Sequence, residues 1–156
     1  MPQTEMHTLF LAGWNHAGEF VRLPEMFHVK QSDWNRPLRG DWMIQLEEAV
    51  LDAPAPVELV AYGLGCILVA AWAAHSHNTQ RVVRAILIEP DDSEREDRRT
   101  ILKSWSPIPM QRLPFPSTLR NNNGKNSKNS STQNPYCSME RAQFFAQSWG
   151  SVLHGN

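Results

Sequence analysis

A tight glycine turn between two apolar segments is the part of this sequence best suited to chemistry. Val57 to Tyr62 is a short apolar run with β-branched residues, Gly63 and Gly65 follow it, and an Ala-rich stretch then continues to His75. This order predicts a buried strand, a sharp turn and a buried helix. Because backbone N–H groups and the positive end of the helix dipole meet at such a turn, it can stabilise negative charge. We call residues 61–65 the elbow.

Glycines at a strand-to-helix turn also occur in dinucleotide-binding sites. Such a site needs a third glycine three residues after Gly65, where this chain has Leu68. It also needs an acidic residue after the following strand, where Glu89 is a loose match. We therefore expect no nucleotide cofactor.

Two further patterns, which follow the elbow in the sequence, each have a chemical and a structural interpretation. His75-x-His77 could bind a metal, but no Cys or carboxylate stands at ligand spacing, so a pair favoured by the helix dipole is preferred and no metal is expected. Cys66 could be a nucleophile activated by the helix amino end. A small apolar residue that faces the core is the preferred interpretation of Cys66.

Composition limits the class of protein. The chain has 156 residues, is 41% hydrophobic and carries a formal net charge of −1, so we expect one domain over residues 1–156 and no binding of nucleic acid or membrane. The amino terminus lacks a secretory signal pattern, and no apolar run reaches the roughly 18 residues that span a bilayer. Cys66 and Cys137 stand in unrelated contexts, which favours a reducing, cytoplasmic location.

Strand-like and helix-like segments alternate around the elbow. The predicted strands lie at 7–14, 27–31, 57–62, 81–90 and 117–119, and the predicted helices lie near 41–53, 64–75 and 138–149. This alternation predicts an α/β fold, a three-layer α/β/α sandwich with a mainly parallel sheet.

Two polar segments interrupt that pattern. Residues 91–100 are mostly charged and are interpreted as a solvated loop or helix face. Residues 120–133 contain no large apolar side chain, and we expect them to form a flexible loop.

Several stretches in the same order resemble one family. They are Gln31-Ser32-Asp33-Trp34-Asn35-Arg36-Pro37 with Trp42, Leu64-Gly65-Cys66 at the elbow, Leu113-Pro114-Phe115-Pro116-Ser117, and Asn134-Pro135-Tyr136-Cys137-Ser138-Met139-Glu140-Arg141-Ala142. The sequence resembles the small α/β-hydrolases of the retinoblastoma-binding protein 9 family and its YdeN-like bacterial relatives, which are serine hydrolases. The resemblance implies a minimal α/β-hydrolase fold.

The resemblance also implies a Ser-His-Asp site with a Gly-x-Ser-x-Gly elbow. In this chain Gly63 stands at the nucleophile position and Asn134 at the acid position, and His154 is a weak candidate for the base. The last strand and the histidine loop of the family are expected to be missing from this chain. The oxyanion donors would be the backbone N–H of Leu64 and one from the Gly13-Trp14 loop.

The functional expectation follows from these departures. We expect a protein related to esterases that act on ester-type bonds, impaired in catalysis because the triad is incomplete. Its partner would be a small ester-type substrate or ligand. The alternative is a non-catalytic binding or interaction protein that uses the same crevice, for which a protein partner is possible.

Overall fold

The structure is a computed structural model that describes residues 6–11, 26–29, 37–54, 56–100, 102–121 and 137–155. Its strands are β1 (His7–Leu11), β2 (Met26–His28), β3 (Val57–Tyr62), β4 (Val82–Ile88), β5 (Ser117–Asn121) and β6 (Val152–Gly155). Its α-helices are α1 (Arg39–Asp52), α2 (Leu64–His75) and α3 (Met139–Trp149).

The strands form one sheet in the order β2-β1-β3-β4-β5-β6, and all neighbouring strands are parallel. The structure confirms the α/β class and the parallel sheet. The direction of strand succession reverses between β1 and β3. In an open α/β sheet a crevice lies at such a reversal, outside the carboxyl ends of the strands. The elbow follows β3 and therefore lies at this crevice.

The first face of the sheet packs on all three described α-helices. Side chains of α1, α2 and α3 join Leu9, Leu59 and Leu87 in one buried core. From Leu64 to Trp72 every residue of α2 is buried. A helix that is apolar all round must lie inside the protein, which explains why α2 is enclosed between the sheet and α1.

The second face of the sheet carries a smaller cluster. Phe10 and Val60 are buried there, and Tyr62, Ile86 and Ile88 pack against them. The connection from β1 to β2 lies outside the described residues. A helix on the second face of the sheet, which the three-layer sandwich requires, therefore stays a prediction.

The described part of the chain ends in a strand that the sequence analysis did not predict. Val152–Gly155 forms β6 and pairs with β5, with Leu153 opposite Leu119. Val152 and His154 are exposed, so the segment carries almost no apolar signal. The backbone hydrogen bonds to β5 define this strand, and side-chain patterns do not reveal such bonds.

The interpretation of residues 91–100 as solvated is wrong at their start. Asp91, Asp92 and Ser93 are buried. Arginines distant in sequence neutralise the two carboxylates, as described below. The number of charged residues does not show which charges are paired, and it therefore did not predict that the start of this segment is buried.

Some sequence predictions concern residues that the structure does not describe. Residues 122–133 of the polar loop are among them, whereas residues 120 and 121 belong to β5. In the part of the chain that is described, no helix combines the length and the apolarity needed to cross a bilayer.

Candidate active site

Gly63 holds the backbone conformation of a sharp strand-to-helix elbow. Its φ is 60° and its ψ is −123°, a region that residues with a side chain rarely adopt. Its N–H donates to the carbonyl of Ile88 at 3.0 Å, and its own carbonyl accepts from the N–H of Cys66 at 3.1 Å. The turn therefore has the strained geometry that exposes a nucleophile in hydrolases, but Gly63 provides no side chain.

Gly65 allows the elbow to approach the end of β1. A Cβ at position 65 would lie 2.7 Å from the backbone oxygen of Leu11 and 3.2 Å from the Leu11 Cβ. Only glycine fits this contact without a shift of backbone. The close approach brings the first turn of α2 against the carboxyl end of β1, where the crevice opens.

The backbone N–H of Leu64 is the described candidate for an oxyanion donor. Leu64 is the first residue of α2, and the N–H groups of a first helical turn have no acceptor within the helix. The dipole of α2 adds positive potential at the same point. Gly13 and Trp14, the predicted second donor, and Asn134, at the acid position, lie outside the described residues.

Cys66 lies beneath the elbow. Its side chain is fully buried, and its Sγ donates to the carbonyls of Ile88 at 3.5 Å and Ala61 at 3.6 Å. Burial raises the pKa of the Cys66 thiol far above its usual value. The structure confirms the core interpretation of Cys66 and gives no support to a thiolate nucleophile.

The structure does not bring His154 to the elbow. His154 is exposed on β6, and its register partner on β5 is Arg120. Arg120 is in register with Ile88 on β4, and Ile88 is in register with Tyr62 on β3. Three steps of strand spacing separate His154 from Tyr62 by about 14 Å. An imidazole cannot bridge that distance to a group at position 63, so His154 is not placed as its base.

His75 and His77 lie at the other end of α2, away from the elbow. The Nδ1 of His75 is 2.9 Å from the carbonyl of Ala71, one turn earlier. Among the described residues, no group of three or more His, Cys, Asp or Glu side chains is arranged to hold a metal.

A pair of polar side chains that the sequence analysis did not assign lies beside the elbow. The Tyr62 hydroxyl donates to Oε2 of Glu89 at 3.0 Å, and both residues are half-buried. Glu89 follows β4, and its φ of 47° is in the left-handed region. The acidic end of β4 was visible in the sequence, but the torsion angle and the contact with Tyr62 were not.

Two ion-pair groups that contain the buried Asp91 and Asp92 support the same edge of the sheet. Arg98 binds Asp91 through two hydrogen bonds of 2.6 and 3.1 Å. Arg141, in the first turn of α3, binds Asp92 at 2.9 and 3.2 Å and also Glu94 at 3.0 Å. These bonds attach the segment after β4 to α3 and so fix the rim of the crevice.

The parallel sheet, the reversal between β1 and β3, and the strained turn that leads into a buried helix define the α/β-hydrolase class of fold. A family model described as serine hydrolase matches residues 14–155. The chain belongs to this serine hydrolase family.

Solved structures of α/β-hydrolases share the fold at low sequence identity. A YdeN-like hydrolase from Pectobacterium atrosepticum aligns with a TM-score of 0.71 and 16% identity, over 97% of this chain and 76% of the other. The ydeN gene product of Bacillus subtilis aligns with a TM-score of 0.67 and 10% identity, over 97% and 85%. Est1E from Butyrivibrio proteoclasticus, solved with ferulic acid bound, aligns with a TM-score of 0.73 and 8% identity, over 99% and 80%. No curated protein sequence matches the chain.

Proposed function

We propose that this member of the serine hydrolase family binds small ester-type molecules at the elbow and does not hydrolyse them through a covalent intermediate. The observation that carries the proposal is the backbone of Gly63, which keeps the elbow conformation of a hydrolase at a residue without a nucleophile. A carbonyl oxygen at the crevice would accept from the N–H of Leu64, and one from the Gly13-Trp14 loop would be the second donor.

Covalent catalysis would need a nucleophile, a base and an acid in contact. Gly63 offers no nucleophile, and Cys66 is buried with a raised pKa. Asn134, at the acid position, could hydrogen-bond an imidazole but carries no charge to stabilise its protonated form. His154 is too far along the sheet to act at Gly63.

The donors at the elbow favour a small ligand over a protein partner. A carbonyl oxygen that accepts from the Leu64 N–H is one small group, whereas a protein interface needs a broad contact surface. A cytoplasmic location is part of the proposal, because Cys66 and Cys137 are free thiols and a reducing compartment keeps them so.

The test is a titration of ¹⁵N-labelled protein with ethyl butyrate, followed by amide chemical shifts. We expect a saturable shift of the Leu64 amide, while the amide of Val83, near the opposite end of the sheet, stays unchanged. Ethyl butyrate should also persist unhydrolysed in the same sample. Absence of any shift at Leu64 at saturating ester would refute the binding function.

A further inference from the structure

Glu89 and Gly63 leave the sheet side by side. Tyr62 pairs in register with Ile88, and the Gly63 N–H donates to the Ile88 carbonyl at 3.0 Å. The next residues, Gly63 and Glu89, are therefore about 5 Å apart at their Cα atoms, the spacing of neighbouring strands. The Glu89 carboxylate is thus within one side-chain length of the position where the elbow would act on a ligand.

The backbone at Glu89 is held in an unfavourable conformation. Its φ of 47° makes it the one non-glycine residue with a positive φ in the described part of the chain. A 2.7 Å hydrogen bond from the Glu89 N–H to the Arg120 carbonyl maintains the bend. Strain of this kind is concentrated at functional sites.

The Glu89 carboxylate differs from Asp91 and Asp92 on this edge in the partner that it binds. Asp91 is paired with Arg98, and Asp92 is paired with Arg141. Within the described residues, Glu89 has the neutral Tyr62 hydroxyl as its partner, on Oε2. Arg120 on β5 is exposed and forms no ion pair with it there. The second carboxylate oxygen of Glu89 can therefore accept from a ligand.

We propose that Glu89, oriented by Tyr62, recognises a protonated amine carried by the ester ligand. This inference rests on the proposed function and names its substrate class. A carboxylate held at a half-buried position beside the carbonyl-binding N–H groups selects an ammonium group a few atoms from the ester, because a charge-assisted hydrogen bond is stronger than a neutral one. An alkyl group at the same place would leave the carboxylate desolvated and unpaired.

Three ethyl esters of matched length test the proposal: β-alanine ethyl ester with an ammonium group, ethyl butyrate with a methyl group, and ethyl 3-hydroxypropanoate with a hydroxyl. Dissociation constants come from the shift of the Leu64 amide. We expect the ammonium ester to bind about tenfold more tightly than ethyl butyrate, the effect of one charge-assisted hydrogen bond. The hydroxyl ester should fall between them. Equal binding of the hydroxyl and ammonium esters would contradict recognition of the charge.

Variants of Glu89 and Tyr62 test whether this pair causes the preference for the ammonium ester. Glu89→Gln keeps the size and can still accept from Tyr62, so it should fold and lose the preference for the ammonium ester to within about twofold. Tyr62→Phe should reduce the preference to about threefold, because the carboxylate loses its orienting partner. Glu96→Gln makes the same charge change at an exposed site on the segment after β4 and should keep the preference.

The outcomes separate the two proposals. If none of the three esters shifts the Leu64 amide, the proposed function fails and this inference fails with it. If all three esters shift the amide with equal dissociation constants, ester binding stands and the amine recognition is wrong. A tenfold preference that survives Glu89→Gln would also overturn it.

Discussion

Gly63 has the elbow conformation of a hydrolase but no side chain that could act as a nucleophile. The backbone conformation that hydrolases use to expose a serine is present, but with glycine it needs no compensation for strain. In a hydrolase with serine at this position the rest of the fold has to hold a side chain in a disfavoured region. Glycine at position 63 therefore provides no nucleophile and also avoids the backbone strain that a serine would have there.

The strain at position 63 can be measured. We expect Gly63→Ser to lower the free energy of unfolding by about 1–3 kcal/mol, because serine must adopt the same positive φ. Urea denaturation followed by tryptophan fluorescence gives the value. Gly40→Ala is the matched control, since nothing lies within 4 Å of a Cβ there and the site is in a helix. It should be neutral or stabilising by up to about 1 kcal/mol. Equal destabilisation by both changes would exclude strain at the elbow.

At the scale of elements, the elbow depends on how closely α2 approaches β1. Gly65→Ala would place a Cβ 2.7 Å from the Leu11 backbone oxygen, which cannot rotate away. We expect a loss of about 1–3 kcal/mol in unfolding free energy from the forced separation of these elements. A denaturation midpoint equal to that of Gly40→Ala would show that α2 and β1 are not in tight contact.

Glu47 joins the helices α1 and α2 on the first face. Its carboxylate accepts from Trp72 Nε1 at 2.7 Å, Ser76 Oγ at 2.7 Å and Asn78 Nδ2 at 2.6 Å. Burial alone would raise the pKa of Glu47, but these hydrogen bonds stabilise the charged form and lower the pKa below its usual value of 4.5.

This lowered pKa makes stability depend on pH in a defined direction. The folded state binds the proton less tightly than the unfolded state, so the contribution of Glu47 is present above pH 4.5 and is lost as the pH falls below it. We expect Glu47→Gln to flatten the decline of unfolding free energy between about pH 5 and about pH 3. Glu48→Gln, at the adjacent exposed position, should leave the slope of the wild type unchanged. An identical slope in the Glu47 variant would contradict this assignment.

Helices and strands could be predicted from the sequence where burial gave their side chains an apolar pattern. The apolar runs of β3 and β4 and the uniformly apolar α2 were recognisable because burial determines their composition. β6 was not, since Val152 and His154 are exposed and the strand is defined by its backbone pairing with β5. The left-handed Glu89 was also invisible, because neighbouring strands and the Arg120 carbonyl impose that conformation.

At the scale of the whole molecule, ion pairs between distant segments complete the edge of the sheet that carries the elbow. Arg141 of α3 packs over the Phe145 ring at 4.7 Å and holds both Asp92 and Glu94, nearly fifty residues earlier. Sequence patterns identified the charges as surface groups because no local spacing reveals such partners.

The Arg141 pair should behave as a buried charge pair. Arg141→Met leaves the Asp92 carboxylate buried without its partner, and we expect a loss of about 3 kcal/mol in unfolding free energy. The double variant Arg141→Met with Asp92→Leu should recover part of that loss, because no buried carboxylate is left at position 92 and Glu94 is partly exposed to solvent. Urea denaturation of the single and double variants measures both. Additive losses would show that the two residues do not interact.

The elbow is also the feature on which the functional account depends most. The fold, the family and the turn geometry all belong to serine hydrolases, whereas Gly63 has no side chain and the Cys66 thiol is buried with a raised pKa. We propose that the protein lacks the covalent catalytic step and keeps the binding of the ester. Gly63→Ser combined with Asn134→Asp asks whether the covalent route can be restored, and activity in that variant would identify these two positions as the missing reagents.

Intact-mass spectrometry after incubation with a fluorophosphonate probe tests the central claim most directly. The wild type should gain no mass, because no activated nucleophile stands at the elbow. A stoichiometric adduct on the wild-type protein, retained in Gly63→Ala, would show that another residue acts as nucleophile and would contradict the account.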